Sequence, residues 1–431
     1  MATGIITQAY KNNCIRNNII MNTLGQKLEQ RFFRYLAIES QSDASASVVP
    51  STQGQLELAK LLAKELETYG LKDIYIDSHA ILYAMRPGTK PNAPKVGFVA
   101  HLDTVDVGIS PDIHPQTLRY EGKDLCLNKE KDVWFKAQEH PEAEPYIGEE
   151  IIFSDGTSVL GADNKAAITV IMELMDKLQH ADFDCGDIYV AFVPDEEIGL
   201  RGSKLMDLSR FNVDFAYTID CCALGEVVYE TFNAASINVS VKGITAHPMS
   251  AKNVLLNPIR VAHDFIGCFD RFDTPEHTEH REGYFYVTDL IANPDNAVIK
   301  MAIRDFDKKS YEARKQYIAQ SVELMRTRHP RAQIDYEIVD VYSNISDSIG
   351  EDRTAIELIF EALKRLDIQP NVIPMRGGTD GSALSARGLL TPNYFTGALN
   401  FHSRFEFLPV SSFEKSYLVT EMLCRLIGQR G

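Results

Sequence analysis

Three features are scarce or missing in this sequence of 431 residues, and each excludes a class of protein. There is no run of 18 apolar residues, so we expect no membrane-spanning helix. Basic residues are too few to balance the acidic ones, and the formal net charge of −16 argues against nucleic acid or an anionic membrane as a partner. The seven cysteines include no Cys-x-x-Cys pair, and their odd number favours a reduced, cytoplasmic compartment over a disulfide framework.

The N-terminal stretch lacks the continuous apolar core of a secretory signal peptide. It contains Lys11 and Arg16 but no acidic residue in its first twenty positions. We interpret residues 1–24 as a poorly ordered extension. The rest of the chain is long enough for two domains.

One apolar stretch ends abruptly in polar residues. Residues 96–100 have the pattern of a buried strand in a parallel sheet, and His101 and Asp103 follow at once. A His can bind a metal through one ring nitrogen while a carboxylate orients the other. The alternative for this short motif is a His and an Asp that begin a surface loop.

The same pattern recurs twice further along the chain. Residues 188–193 form an apolar strand that leads into Glu196 and Glu197, and residues 215–219 lead into Asp220. In open α/β sheets, ligands bind outside the carboxyl ends of the strands. We therefore expect these acidic and imidazole groups to meet at one edge of a sheet.

Five residues are candidate metal ligands, and their number indicates two ions. One catalytic zinc takes three protein ligands and a water, so five residues are too many for a single ion. Two ions need six protein contacts, which five residues supply if one carboxylate bridges, and Asp163 at the start of a predicted helix is the natural bridge. The five candidates are His101, Asp163, Glu197, Asp220 and His402.

Glu196 is left over beside its neighbour Glu197. Adjacent side chains on an extended segment point in opposite directions, so the two carboxylates can have different roles. We assign Glu197 to the metal and Glu196 to proton transfer between water and a leaving amine. The alternative is two glutamates on a solvated loop.

The segment after Asp220 differs from what precedes it. The periodicity predicts a strand, a helix, two strands joined by a turn, a long helix and a last strand between residues 237 and 341. This βαββαβ order is typical of a small ferredoxin-like domain. The first α/β pattern returns from residue 354, so the small domain interrupts a larger one.

Several ordered motifs together resemble the M20 family of di-zinc peptidases, and within it the tripeptide aminopeptidases. The likeness implies an α/β catalytic domain with a zinc-peptidase-like fold, in two parts at residues 25–228 and 344–431. A ferredoxin-like lid domain occupies residues 229–343. The motifs are HLDT at 101–104, GADNKA at 161–166, PDEEIG at 194–199, FNAA at 232–235, IRDFD at 303–307, RGGTDG at 376–381 and NFH at 400–402.

The resemblance also assigns roles around two zinc ions per chain, for which Co²⁺ or Mn²⁺ are substitutes. His101 and Asp220 would bind one ion, Glu197 and His402 the other, and Asp163 both. Asp103 would orient His101, Glu196 would be the general acid/base, and the peptide after Asp163 would be cis.

Four further residues are expected around a short peptide substrate. By the same likeness, His247 would stabilise the transition state, while Arg304, Arg376 and Asn233 would bind the substrate carboxylate or backbone. The alternative for the two arginines is an ordinary ion pair with Asp305 or Asp380. A homodimer would form through the lid domain.

The sequence departs from the family pattern near the proposed site. Cys221 and Cys222 replace glycines, residues 403–405 are Ser-Arg-Phe where the family has Gly-Lys-His, and the loop 105–114 lacks the usual residues. Two other functions stay open as a result. One is a different M20-type amidohydrolase, either a dipeptidase or an N-acyl amino acid or peptide deacylase. The other is a catalytically silent metal-binding protein.

Overall fold

The computed structural model describes residues 24–180 and 183–431. The predicted extension, apart from Leu24, lies outside these described residues. Within them, no helix is both long and apolar enough to cross a membrane, and the six cysteines, Cys126 to Cys424, are all unpaired thiols.

The first part of the chain supplies most of a large mixed sheet and the helices that cover it. Strand burial follows position in the sheet: every residue of Val96–His101 is buried, because this strand lies between two others and under helices. The elements are α1 (24–36), α2 (Gln53–Thr68), β1 (Lys72–Ile76), β2 (Leu82–Arg86), β3 (Val96–His101), β4 (Pro115–Arg119), β5 (Leu125–Asn128), β6 (Val133–Phe135), β7 (Glu150–Ser154), α3 (Ala162–Leu178), β8 (Ile188–Val193), α4 (Arg201–Leu205), β9 (Phe215–Cys221) and β10 (Glu226–Val228).

The next part forms a separate antiparallel sheet with its own apolar core. Alternate residues of its first strand are buried, since one face packs on two helices and the other faces outwards. The strands lie in the order β12-β13-β11-β14, and the chain order is βαββαβ. The elements are β11 (Asn233–Lys242), α5 (Pro258–Ile266), β12 (Tyr284–Ala292), β13 (Asn296–Asp305), α6 (Lys308–Arg328) and β14 (Gln333–Tyr342).

The last part of the chain returns to the large sheet. Its strands complete the order β1-β2-β8-β3-β9-β16-β10-β15, in which β8, β3, β9 and β16 run parallel. The elements are α7 (Thr354–Arg365), β15 (Asn371–Val372), α8 (Asp380–Ala386), β16 (Asn393–Phe395), β17 (Phe407–Pro409) and α9 (Val410–Gly428). The fold is therefore α/β, and the domain boundaries 228/229 and 343/344 remain a proposal.

Residues 115–154 form most of two small sheets. β4, β7 and β17 form a three-stranded sheet, and β5 and β6 form a hairpin. A short 3₁₀ helix covers Pro141–Tyr146. Their apolar side chains make a small core of their own that includes Tyr120, Phe135, Phe153 and Phe407. We call this segment the platform.

Candidate metal centre

Three parallel strands bring the candidate ligands to one edge of the large sheet. β3 ends at His101, which is in register with Val193 at the end of β8, and β9 carries Asp220 one residue before its end. Glu197 follows β8 after a short turn. The sequence predicts that these groups lie at one edge because their strands would run parallel. In the structure, β3 does run parallel to both β8 and β9.

The candidate ligands form two groups that share Asp163. His101 Nε2 lies 2.9 Å from Asp163 Oδ1 and 3.8 Å from Asp220 Oδ1. His402 Nε2 lies 3.1 Å from Asp163 Oδ2 and 3.1 Å from Glu197 Oε1. Each oxygen of the Asp163 carboxylate thus faces a different histidine, and the peptide bond after Asp163 is cis, as the resemblance implies.

The charges of this cluster suit divalent cations. Burial, together with the Asp163 charge, raises the pKa of Glu197 to about 7 and that of Asp220 to about 6. The nearby carboxylates of Asp163 and Glu197 raise the pKa of His402 to about 11. Glu197 Oε1 is buried and has no donor with hydrogen-bond geometry in the described chain, although His402 Nε2 is near.

These donors fit a metal ion by their chemistry and spacing. Ligand atoms of His101, Asp163 and Glu197 all lie within 4.8 Å of one another. Imidazole and carboxylate are the ligands that zinc accepts in catalytic sites. A cation at this place would offset the repulsion among the buried carboxylates. Without a cation, burial together with that repulsion raises the pKa of Glu197 and of Asp220.

The Asp103 carboxylate contacts more than the predicted partner. Its two oxygens accept the backbone N–H groups of Glu196 at 3.0 Å and Glu197 at 3.2 Å. His101 Nδ1 lies 3.0 Å from the Asp103 carbonyl oxygen and 3.4 Å from its carboxylate. The side chain therefore holds the Glu196–Glu197 turn, and the backbone makes the shorter contact with His101.

The turn that carries Glu196 is fixed from a second side as well. Asp195 has a left-handed backbone with φ of 58°. Its carboxylate accepts the N–H of Ser51 at 2.8 Å and the side-chain amide of Gln55 at 2.7 Å. Burial and the charges of nearby carboxylates raise the pKa of Glu196 well above its usual value.

Two buried carboxylates beside the cluster are not among the predicted site residues. Glu406 accepts the backbone N–H groups of Gly161 at 2.8 Å and Asp163 at 3.1 Å, so it holds the beginning of α3. Asp380 is 2% exposed, and burial raises its pKa to about 7. Both residues lie within or next to quoted motifs, so their position was a usable signal.

In the described part of the chain, no hydrogen bond or ion pair joins His247 to this cluster. His247 is exposed and begins a short 3₁₀ helix beyond the end of β11, where its Nδ1 accepts the N–H of Met249. The ten residues of β11 span about 30 Å at the rise of an extended strand. Asn233 lies at the other end of that strand, and this end contacts the rest of the chain.

The residues predicted to bind substrate are already engaged to different degrees. Asn233 is fully buried, and its side chain donates to the Phe306 carbonyl and accepts the Asn344 N–H. Both of its polar groups hold the junction of the two sheets in this structure, and the assignment of Asn233 to the substrate stays a prediction.

Arg376 crosses between the two sheets. One of its terminal nitrogens donates to the carbonyls of His280 at 3.1 Å and Glu282 at 2.9 Å, and the other donates to Thr278 Oγ1 at 2.8 Å. Its guanidinium also lies over the Tyr284 ring, 5.4 Å from the centroid. Arg376 therefore joins the segment before α8 to the segment before β12 and to β12 itself.

Arg304 is placed differently. Its Nη1 donates to the carbonyl of Ile303 at 2.9 Å, and its guanidinium lies 5.5 Å from the Tyr342 ring centroid. The proposed ion pair with Asp305 is absent, because Asp305 pairs with Arg314 at 2.8 Å. Tyr342, which the sequence analysis did not single out, is half-buried, and Glu196 is one of the charges that affect its pKa.

Comparisons with known proteins agree with the fold and the motifs. The family model described as peptidase family M20/M25/M40 matches residues 145–427. A peptidase T-like protein from Yersinia pestis is 64% identical over 402 residues, which cover 93% of this chain and 98% of its own length. Peptidase T from Clostridium novyi is 38% identical over 389 residues, covering 90% of this chain and 95% of its own.

A solved structure gives the same answer for the fold. The aminopeptidase PepT from Bacillus cereus superposes with a TM-score of 0.74 over 94% of this chain and 98% of its own, at 20% sequence identity.

Proposed function

The chain belongs to peptidase family M20/M25/M40, and we propose that it is a metal-dependent aminopeptidase that releases the N-terminal residue of tripeptides in the cytoplasm. It is a hydrolase, and short peptides are its substrates. The relative that is 38% identical is named peptidase T, and the one that is 64% identical is named peptidase T-like. The preference for tripeptides is therefore the finer part of the proposal.

One observation carries the proposal: the two oxygens of Asp163 face two different histidines, with one further carboxylate on each side. We propose that Zn²⁺ is the ion, two per chain, with Co²⁺ or Mn²⁺ as substitutes. His101 and Asp220 would hold one ion, His402 and Glu197 the other, and Asp163 both. Such a pair supplies Lewis-acid polarisation of a peptide carbonyl and a water that deprotonates near neutral pH.

The protein's own groups account for the proton transfers. Glu196 takes a proton from the attacking water as the new C–O bond forms, and it gives that proton to the amine as the C–N bond breaks. Asp103 and Asp195 hold the turn, so the Glu196 carboxylate stays beside the cluster. A raised pKa favours this role, because the group must carry the proton between the two steps.

Arg304 is the group that we propose for the substrate carboxylate. Its guanidinium lies near Tyr342 and shares that side of the site with Glu196. Arg376 is the poorer candidate in this arrangement, since three of its hydrogen bonds go to Thr278, His280 and Glu282. A guanidinium matches a carboxylate with two parallel hydrogen bonds, which would fix the distance from the metals to the C-terminus.

His247 is proposed to act on a second copy of the chain. It is exposed at the far end of β11, and a homodimer through the lid would bring it to the partner's cluster. An equimolar co-expression of Glu196→Gln and His247→Ala tests this, since neither homodimer is active. Random pairing would restore about a quarter of wild-type activity, because one site in each mixed dimer is complete. No recovery would mean that His247 does not act on a second copy of the chain.

The substrate class is tested by comparing kcat/KM for a tripeptide, its C-terminal amide and its N-acetyl form. The amide should lose ~2–4 kcal/mol of transition-state stabilisation, because Arg304 is left without its partner. In Arg304→Ala, the kcat/KM values for the tripeptide and for its amide should become equal. If the acetylated peptide were the best of the three, the enzyme would be a deacylase.

A further inference from the structure

The loop of residues 400–406 carries His402 on a strained backbone. Leu399 and Phe407 close the loop with an antiparallel bridge whose two N···O distances are 2.8 and 3.1 Å. Asn400 and His402 both have left-handed backbone, with φ of 59° and 61°. Non-glycine residues keep this conformation only where surrounding contacts impose it. The bridge at the base of the loop does not hold Asn400 or His402, so other contacts must impose their backbone conformation.

The two histidines of the cluster differ in what fixes them. The His101 side chain is 2% exposed at the end of a central strand, whereas the His402 side chain is 46% exposed. Packing around its own ring therefore does little to orient His402. Apart from its polar contacts with Asp163 and Glu197, its direction depends on the backbone of the loop, and hence on whatever anchors that backbone.

The platform supplies such an anchor. Asn400 Nδ2 donates to Glu142 Oε1 at 2.5 Å and, more weakly, to the Phe405 carbonyl at 3.4 Å. Glu142 Oε1 also lies 2.9 Å from His140 Nδ1. The His140 ring stacks on Phe135 with centroids 4.2 Å apart and an angle of 13°. A carboxylate acceptor makes the Asn400 contact stronger than a neutral one would be.

Phe405 connects the same elements through apolar contact. Its ring lies 4.9 Å from His140 and 6.3 Å from Phe135, centroid to centroid. Phe405 belongs to the stretch where this sequence departs from the family pattern. A residue that differs from the family pattern therefore packs against the platform in the loop that carries His402.

We propose that Glu142, through Asn400, is a positioning residue that directs His402 towards the metal cluster. This inference rests on the proposed function, because it takes the cluster to hold metal ions. Side chains that orient a metal ligand without binding the metal themselves contribute ~10–100-fold to metal affinity. Loss of Glu142 should therefore weaken one ion of the two, the one that contacts His402.

The test is Zn²⁺ binding to metal-free protein, measured by calorimetry for the wild type, Glu142→Ala and Glu142→Gln. We expect ~10–100-fold weaker binding of one ion in Glu142→Ala and unchanged binding of the other. Glu142→Gln should recover most of the loss, since its side-chain oxygen can still accept from Asn400. Glu144→Ala is the matched control, because Glu144 is exposed on the same 3₁₀ helix and its removal changes the net charge equally.

A second readout separates orientation from stability. With Co²⁺ in place of Zn²⁺, the visible absorption of the affected site should change in Glu142→Ala and return in Glu142→Gln. If Glu142→Ala does not fold, Asn400→Asp serves instead, because Asp tolerates the left-handed backbone but loses the donor. Asn400→Asp should then show the same weakening of Zn²⁺ binding for one of the two ions.

The outcomes distinguish two failures. Two normal affinities in Glu142→Ala, or in Asn400→Asp, would overturn the positioning role and leave the proposed function intact. Equal losses in Glu142→Ala and Glu144→Ala would also overturn it, because a general charge effect would then suffice. A wild type that binds no Zn²⁺ would overturn the proposed function, and the inference with it.

Discussion

Replacing Asp103 by alanine distinguishes two roles for this fully buried carboxylate. The substitution removes both side-chain oxygens and leaves the backbone carbonyl, which is the closer contact of His101 Nδ1 at 3.0 Å. The N–H groups of Glu196 and Glu197 lose acceptors at 3.0 and 3.2 Å. We therefore expect the damage at the Glu196–Glu197 turn and not at His101.

The size of the effect follows from those two hydrogen bonds. Each joins a backbone N–H to a charged acceptor in a buried place and contributes ~1.5–3 kcal/mol, so ~3–6 kcal/mol of local stability is removed if they act independently. This is enough to disorder a turn of a few residues. We expect kcat to fall by ~10² or more, since Glu196 is the proposed proton carrier. Asp103→Asn keeps one acceptor oxygen and should give an intermediate loss.

Zinc content of double variants identifies which ion depends on Asp103. If its side chain supports Glu197, then Asp103→Ala combined with His402→Ala should still hold one ion, because both changes act on the same place. Combined with Asp220→Ala, it should hold none. The opposite pattern would mean that the Asp103 carboxylate orients His101 and does not support the Glu196–Glu197 turn.

Five further substitutions have distinct expected results. Glu196→Gln should keep both ions and lower kcat by ~10²–10⁴, and near wild-type turnover would remove Glu196 from the mechanism. Asp163→Ala should weaken both ions together, whereas Asp220→Ala should weaken mainly one; elemental analysis that finds one ion at full occupancy in Asp163→Ala would contradict the bridge. Arg376→Ala should free the lid and speed its limited proteolysis, while Arg304→Ala should raise KM for a tripeptide and leave proteolysis unchanged.

The ligand cluster was open to prediction because it lies at strand ends. A buried strand has a clear apolar pattern, and residues 188–193 were assigned with the bounds that β8 has in the structure. Parallel neighbours then place the residues after each strand together. Asp163 and His402 follow less directly, since each comes from a different loop.

Other parts of the site depend on contacts that no local pattern carries. Arg376 meets His280 and Glu282 across more than ninety residues of sequence, and Asp103 meets Glu196 across a similar distance. The platform shows little periodicity in its sequence, because its strands are only three to five residues long. Strands this short show no sustained alternation.

The junction of the two sheets connects these findings to substrate length. Arg304 belongs to β13 of the smaller sheet, which is the proposed lid, and Arg376 precedes α8; both lie beside Tyr284. Gly378 is glycine for a steric reason, because a Cβ there would lie 2.7 Å from the Tyr342 ring. The distance from Arg304 to the metal cluster is thus set by how closely the lid seats on this loop. Changes at the junction should therefore alter the preferred peptide length before they alter the chemistry.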